Sequence, residues 1–306
     1  MLTTVAVILV SALGAGAFYL YRIDRSLTQN LQREDILPAG SGAPAENGTL
    51  DFVLIGSDTR DPDAETSGGS DSLMLLHLNG KRDQAYIISF PRDMWVSIPG
   101  HSENKINSAL TFGGPKLTVA TVETLTGARI DHAVRIDFDG FVQLTEGLGG
   151  VTVPNKTAFA THGFNYPKGD ISISGEKALW FVRERKLLPQ GDFDRAENQR
   201  NVVKAIVAKG LSVDVITDPG RFANFIAGVA QHLTVDAGLT DGVIRSTALS
   251  LRLTSEDIQL MQAPISGTAT QAGQSIDVVD QAKMAELKTA LAEDTVGDYL
   301  KKYPDG

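Results

Sequence analysis

The chain has 306 residues, 42% hydrophobic and 21% charged, enough for one large domain or two small ones with a sizeable core and too apolar for a disordered chain. A formal net charge of −9 argues against a nucleic-acid partner, which needs a basic face. The absence of cysteine excludes disulfides and thiolate metal sites and leaves the redox compartment open.

Residues 2–21, LTTVAVILVSALGAGAFYLY, carry no charged side chain. As a helix they would rise ~30 Å, the thickness of one hydrocarbon core, so a retained transmembrane anchor is expected over 1–22. A cleaved signal peptide is the alternative, because Ala15-Gly16-Ala17 has the small residues of a cleavage site. No Lys or Arg precedes the apolar run, and Arg22, Arg25 and Arg33 follow it, which by charge alone points to a cytoplasmic C-terminal part. Residues 23–49 are polar, end in LPAGSGAPAENGT and are expected to be a linker.

From Leu50 onward the pattern predicts strands at 51–56, 72–78, 85–90 and 94–98, then a helix at 105–126 broken by Phe112-Gly113-Gly114-Pro115. A strand at 132–137, a helix at 139–147, a turn at Gly149-Gly150 and a short strand at 151–154 follow. Residues 154–169 have little periodicity and are expected as a surface loop. Helices are predicted at 174–182 and 193–210, and strands near 257–262 and 275–279 among further helices up to 292. Strands alternating with helices predict a layered α/β fold.

Asp58 and Asp71 lie at the ends of two predicted strands, with a Gly/Ser-rich stretch between them. Side by side, such carboxylates suit Mg²⁺, which takes one or two carboxylates and completes its octahedron with phosphate oxygens and water. The plainer alternative is two turn-forming or capping aspartates. Arg60, Arg92, Arg183, Arg185 and Arg195 all fall at predicted element ends. Arg183 and Arg185 share a face only in an extended segment, and Arg195 and Gln199 share one in a helix. Arg195 near a helix N-terminus opposes the macrodipole unless an anion is bound there. Each Arg alone fits a surface salt bridge with Glu184, Asp192, Asp194 or Glu197. The set as a whole suits a pyrophosphate, since guanidinium grips phosphate oxygens bidentately. Gly114-Pro115-Lys116 lacks the glycine spacing of a nucleotide loop, the five histidines show no metal spacing, and no GxSxG elbow occurs.

Taken in order, GSDTR, GSDSLML, SFPRDMWV, KINSALTFGGPKLTVATVETLTG, DHAVRIDFDGFVQLTEGLGGV, GEKALWFVRERK and DFDRAENQR resemble the LytR-CpsA-Psr family. The likeness is dense over 51–210 and continues through GQSIDVVDQAKMAEL to about 292, leaving 293–306 as a tail. It implies a three-layer α/β/α domain with a central mixed sheet over 50–292, outside the membrane behind one transmembrane helix, against the charge count. It implies a phosphotransferase that moves a wall glycopolymer from a polyprenyl-pyrophosphate carrier to peptidoglycan as a phosphodiester. The Ala/Asp/Gly-rich composition favours an actinobacterial polymer such as arabinogalactan. By motif, Asp58 and Asp71 fall on the family's Mg²⁺ ligands, with Mn²⁺ as an alternative ion. Arg60, Arg92, Arg183, Arg185 and Arg195 fall on its pyrophosphate-binding arginines and Gln199 on its phosphate-contacting glutamine; Arg92, Asp58 and Asp71 form the expected catalytic set. The family commonly has Arg before that Gln, whereas Asn198 stands here, and Arg200 is a candidate substitute rotated ~200° away on the helix. A polyprenyl tail needs an apolar slot, with Val119, Val122, Leu125, Phe141, Val142 and Leu144 as lining candidates or, more simply, as core. Two other functions stay open: a Mg²⁺-dependent polyprenyl-pyrophosphate phosphatase, and a non-catalytic, membrane-anchored carrier-binding or regulatory protein.

Overall fold

The computed structural model describes residues 31–42, 47–57, 70–210, 228, 230 and 232–304, with Asp71 placed through its backbone only. The anchor expected over 1–22, together with Asp58 and Arg60, lies outside the described residues. Among the described residues no helix is long and apolar enough to cross a membrane.

The chain runs β1 (Gln32–Glu34), β2 (Leu50–Ser57), β3 (Ser70–Leu78), β4 (Ala85–Ser89), β5 (Trp95–Val96), β6 (Asn104–Lys105), α1 (Ser108–Thr126), β7 (His132–Asp137) and α2 (Phe138–Gly147). It continues through β8 (Val151–Asn155), β9 (Phe159–Thr161), β10 (Phe164–Tyr166), β11 (Gly169–Ile173), α3 (Gly175–Arg183) and α4 (Asp192–Gly210). Then follow β12 (Thr234–Asp236), α5 (Asp241–Ser250), β13 (Ile258–Gln262), β14 (Ile265–Gln271), β15 (Gln274–Val279), α6 (Gln281–Ala292) and α7 (Val296–Lys302).

Seven strands form one mixed sheet in the order β1-β12-β7-β2-β3-β4-β13. β2 pairs parallel to β7 and antiparallel to β3, and β4 pairs antiparallel to β3 and parallel to β13. Period-2 alternation sends Leu73 and Leu75 to one face and Met74 and Leu78 to the other. The first face packs on α1, α6 and α7 through Val119, Val122, Met284, Leu287, Leu291, Val296 and Tyr299. The second packs on Val203 and Val207 of α4. Helices therefore cover both faces, as the α/β/α expectation requires. A smaller core joins β8 and β11 to α3 and α4 through Val153, Ile173, Phe181 and Val202.

Strands β12 and β14 have no counterpart in the sequence-based expectation, and three further stretches differ from it. The segment read as linker supplies β1, which pairs with β12 at the sheet edge. The stretch 293–306 read as a tail supplies α7, whose Val296 and Tyr299 are buried. The loop expected at 154–169 contains the hairpin β9–β10, turned by His162 and Gly163 at φ 48° and 81°. The predicted break in α1 is present: Gly114 has φ 66°, and Pro115 restarts the helix where its missing N–H costs nothing. Val119 and Val122 are fully buried and Leu125 packs against them, so these α1 residues are core; Leu144 is buried too.

Candidate functional site

Register brings the chemistry to one rim of the sheet. Ser57, the last residue of β2, lies opposite Ser70 of β3 on one side and Asp137 of β7 on the other. Ser89 ends β4 beside Met74 of β3 and Gln262 of β13. Hence β2, β4, β7 and β13 end, and β3 begins, along the same edge, where open α/β sheets place their ligands. Between the pairs Gly56–Ser72 and Ser57–Ser70 the register slips, and Asp71 is the extra residue of that bulge. The bulge thus puts the backbone of Asp71 on the rim beside Ser57, while Asp58 lies outside the described residues. The hydroxyl of Ser70, buried there, has no hydrogen-bond partner among the described residues. A hard cation with oxygen ligands fits this surrounding.

Beyond β4 the chain turns sharply at Pro91–Met94, with the Met94 N–H donating to Pro91 O at 3.0 Å. The turn is pinned by Ile106 N–H on Met94 O (2.8 Å) and Asn107 N–H on Arg92 O (3.3 Å). Arg92 is thereby held just past the rim. Its Nε donates to Asp192 Oδ2 at 3.1 Å.

The link from α3 to α4 is shaped by Glu184. Its carboxylate accepts from the N–H groups of Arg185, Lys186 and Leu187 at 2.9, 2.8 and 3.1 Å. Partial burial works to raise its pKa, but these donors outweigh it and hold the carboxyl below the usual range. The folded link brings the Arg185 guanidinium to 3.6 Å from Asp192 Oδ1. Arg195, in the first turn of α4 and 7% exposed, lies 3.4 Å from Asp192 Oδ2. Arg92, Arg185 and Arg195 converge on the Asp192 carboxylate from three separate chain segments. An anion in that place neutralises cations that would otherwise repel one another and that oppose the helix dipole.

The other two predicted groups lie on adjoining elements. Arg183 is the last residue of α3, so it does not share an extended face with Arg185; its guanidinium stacks 4.4 Å from the Phe138 ring centroid, at the end of β7. Gln199 donates through Nε2 to Val182 O at 3.2 Å, tying α4 to the end of α3. Asn198 is buried. Arg200 reaches Ser89 Oγ at the β4 rim, and its burial lowers its pKa to about 10.

Lys105 and Asp277, not singled out in the sequence, complete the cluster together with Asp192, named there only as one salt-bridge partner among four. Asp192 is the shared counter-ion. Lys105 of β6 lies 2.8 Å from Asp93 Oδ1, so Asp93 is ion-paired. Asp277 of β15 is brought to the same turn by a bridge to Met94, its N–H donating to Asp93 O at 2.9 Å. Burial first, then the neighbouring Asp93 and Asp192 carboxylates, push the Asp277 carboxyl up to about 6. The residue types of Lys105, Asp192 and Asp277 were visible in the sequence; their convergence was not.

A family model described as "LytR_cpsA_psr family" matches residues 19–293. Over 72% of this chain it is 34% identical to a Bacillus anthracis protein named polyisoprenyl-teichoic acid–peptidoglycan teichoic acid transferase TagU, covering 75% of that protein. A protein of the same name from Oceanobacillus iheyensis is 38% identical over 61% of this chain, and the match spans only 59% of its length. Among solved structures, Bacillus subtilis TagV superposes with a TM-score of 0.70 at 25% identity, covering 82% of this chain and 98% of that one. A structure titled "TagT bound to LIIa-WTA" gives 0.65 at 26% identity, covering 85% and 98%.

Proposed function

The chain belongs to the LytR-CpsA-Psr family, and from that premise we propose that it transfers a wall glycopolymer from a polyprenyl-pyrophosphate carrier to peptidoglycan. The observation that carries this is the gathering of Arg92, Arg185 and Arg195 around one carboxylate. The site is built for an anion presenting several oxygens, and Asp192 meets that need within the chain. A pyrophosphate offers more charge and more oxygens to the same forks. Names of relatives such as B. anthracis TagU point to the same reaction with a teichoic acid donor; the polymer here is assigned only as a wall glycopolymer.

In the reaction a sugar hydroxyl of peptidoglycan attacks the phosphorus that bears the glycopolymer. A new O–P bond forms, the bond to the distal phosphate breaks, and its electron pair leaves with the polyprenyl phosphate. The hydroxyl proton passes to a base. Phosphoryl transfer asks the protein mainly to position and to neutralise. Arg92, Arg185 and Arg195 hold the non-bridging oxygens and take up the charge that moves onto the leaving phosphate. Arg183 extends the cationic wall toward the β7 end, Arg60 is assigned to it by motif alone, and Gln199 positions the clamp through α3. Asp58 and Asp71 would hold Mg²⁺ or Mn²⁺, and the buried Ser70 hydroxyl next to Asp71 in the chain, without a partner among the described residues, supports that assignment. When bound, the ion supplies charge neutralisation on the two phosphates. The anchor over 1–22 would keep the domain outside the membrane, within reach of a lipid carrier.

The test is direct. Incubate the protein with a short-chain prenyl-pyrophosphoryl oligosaccharide, Mg²⁺ and peptidoglycan oligomers, and follow the products by mass spectrometry. Glycan joined to peptidoglycan by a phosphodiester supports transfer. Glycan phosphate released without acceptor would instead show a phosphatase, and binding without either product a carrier-binding protein.

A further inference from the structure

We propose that Asp277 is the base that takes the proton from the attacking sugar hydroxyl. The assignment rests on the transferase function above and adds a catalytic residue to it.

The carboxylates around the arginine cluster are not equivalent. Asp192 is held by Arg92, Arg185 and Arg195. Asp93 is held by Lys105 at 2.8 Å and lies 3.9 Å from Arg92. Among the described residues the Asp277 carboxylate makes no hydrogen bond and no ion pair, although the residue is only 8% exposed. Its position is fixed by backbone: the β14–β15 hairpin lays Asp277 beside Met94, and its N–H holds the Asp93 carbonyl. The charged groups facing it are Asp93 from the turn after β4, Asp192 from the start of α4 and Lys105 from β6. A carboxylate already spent on a guanidinium is a poor proton acceptor, because accepting a proton forfeits the ion pair. Asp277 loses nothing of that kind.

Proton affinity points the same way. Burial and two like charges hold the Asp277 carboxyl at about 6, against Lys105, which acts to lower it. At neutral pH it is therefore mostly ionised, yet it is a stronger base than an exposed aspartate, which is what a general base near its working pH requires. The step balances. The sugar O–H bond breaks, its proton joins an Asp277 oxygen and its oxygen bonds to phosphorus. The phosphorus–oxygen bond to the leaving polyprenyl phosphate breaks with its electron pair.

The experiment uses Asp277→Asn and Asp277→Glu in the transfer assay, with binding of the same prenyl-pyrophosphoryl oligosaccharide measured separately by calorimetry. We expect Asp277→Asn to lower kcat by about 10²–10³-fold with carrier Kd within a factor of ~3 of wild type. The wild-type kcat should fall below pH ~6 with unit slope. Asp277→Asn should lack that limb, and Asp277→Glu should restore part of the rate with the limb displaced. If Asp277→Asn fails to fold, the displaced limb of Asp277→Glu carries the test. A wild-type limb unchanged in either variant, or near wild-type kcat in the Asn variant, overturns the assignment. ¹³C-carboxyl NMR gives a readout independent of turnover: a resonance titrating near 6 and missing from Asp277→Asn supports it, and its absence refutes it. Should that resonance be present while wild type performs no transfer, it is the transferase function that fails, and the catalytic role of Asp277 goes with it.

Discussion

His77 sits next to the last residue of β3 with no solvent exposure, between two carboxylates. Its Nδ1 is 2.7 Å from Asp51 Oδ1 on β2, and its Nε2 is 3.5 Å from Asp294 Oδ1 in the corner between α6 and α7. Burial alone would lower its pKa; the two flanking carboxylates, Asp294 and Asp51, outweigh it and raise the imidazole to about 9 from 6.5. A folded-state pKa above the unfolded one means that the charged form stabilises the fold. The contribution is complete below pH 6.5, declines between 6.5 and 9, and is gone above 9. The difference corresponds to about 3 kcal/mol at full ionisation. For a domain of this size that is on the order of 6–12 °C in Tm. Thermal unfolding of wild type and His77→Gln at pH 6 and pH 9.5 checks it. Wild type should lose most of that increment over the interval, and His77→Gln should start lower and change less. Parallel pH dependence in the two proteins would refute a charged imidazole here. Because Asp294 also accepts from the Gly80 N–H at 3.0 Å, the same interaction docks the α6–α7 corner onto the sheet.

Three further outcomes follow from the site. Chelation should abolish transfer and Mg²⁺ restore it; Ser70→Ala, which removes the unsatisfied hydroxyl, should raise the Mg²⁺ concentration needed for half activity, and an unchanged requirement would detach Ser70 from the ion. Arg195→Lys keeps the charge but loses the planar fork, so transfer should fall at least about tenfold; full activity would show that only charge matters there. Asp192→Asn removes the common counter-ion of three cations in a half-buried setting, and denaturant unfolding should show a loss of about 1–3 kcal/mol, partly recovered by adding inorganic pyrophosphate. No loss would show that the arginines are solvated independently.

The sequence disclosed the sheet well because its central strands are short, nearly continuous apolar runs bounded by turn residues. SLMLLHL divides its leucines and methionine between two faces that both prove buried, and HAVRID ends in an aspartate that caps the next helix by accepting from Gly140 N–H at 2.7 Å. Gln32–Glu34 was illegible because an edge strand of three polar residues carries no apolar period; only its pairing with β12 orders it. The β9–β10 hairpin had a signal, His162-Gly163 between Phe159-Ala160-Thr161 and Phe164-Asn165-Tyr166, where two left-handed residues make the turn. In the site, arginines were legible as a set because motif and element ends marked them. Asp93, Lys105, Asp192 and Asp277 come from distant parts of the chain, and only tertiary packing shows which carboxylate is paired and which is not. Arg200 looked misdirected on its helix, yet its long stem carries the guanidinium to Ser89 on the rim.

The central claim is that guanidinium groups converging at the sheet rim bind and activate a pyrophosphate ester. Arg92→Ala tests it most directly, in single-turnover transfer from the prenyl-pyrophosphoryl oligosaccharide to peptidoglycan oligomers. Losing one such donor should slow transfer about 10²–10³-fold, roughly 3–4 kcal/mol of barrier, with the melting temperature little changed. A folded Arg92→Ala protein that transfers at the wild-type rate would contradict the account.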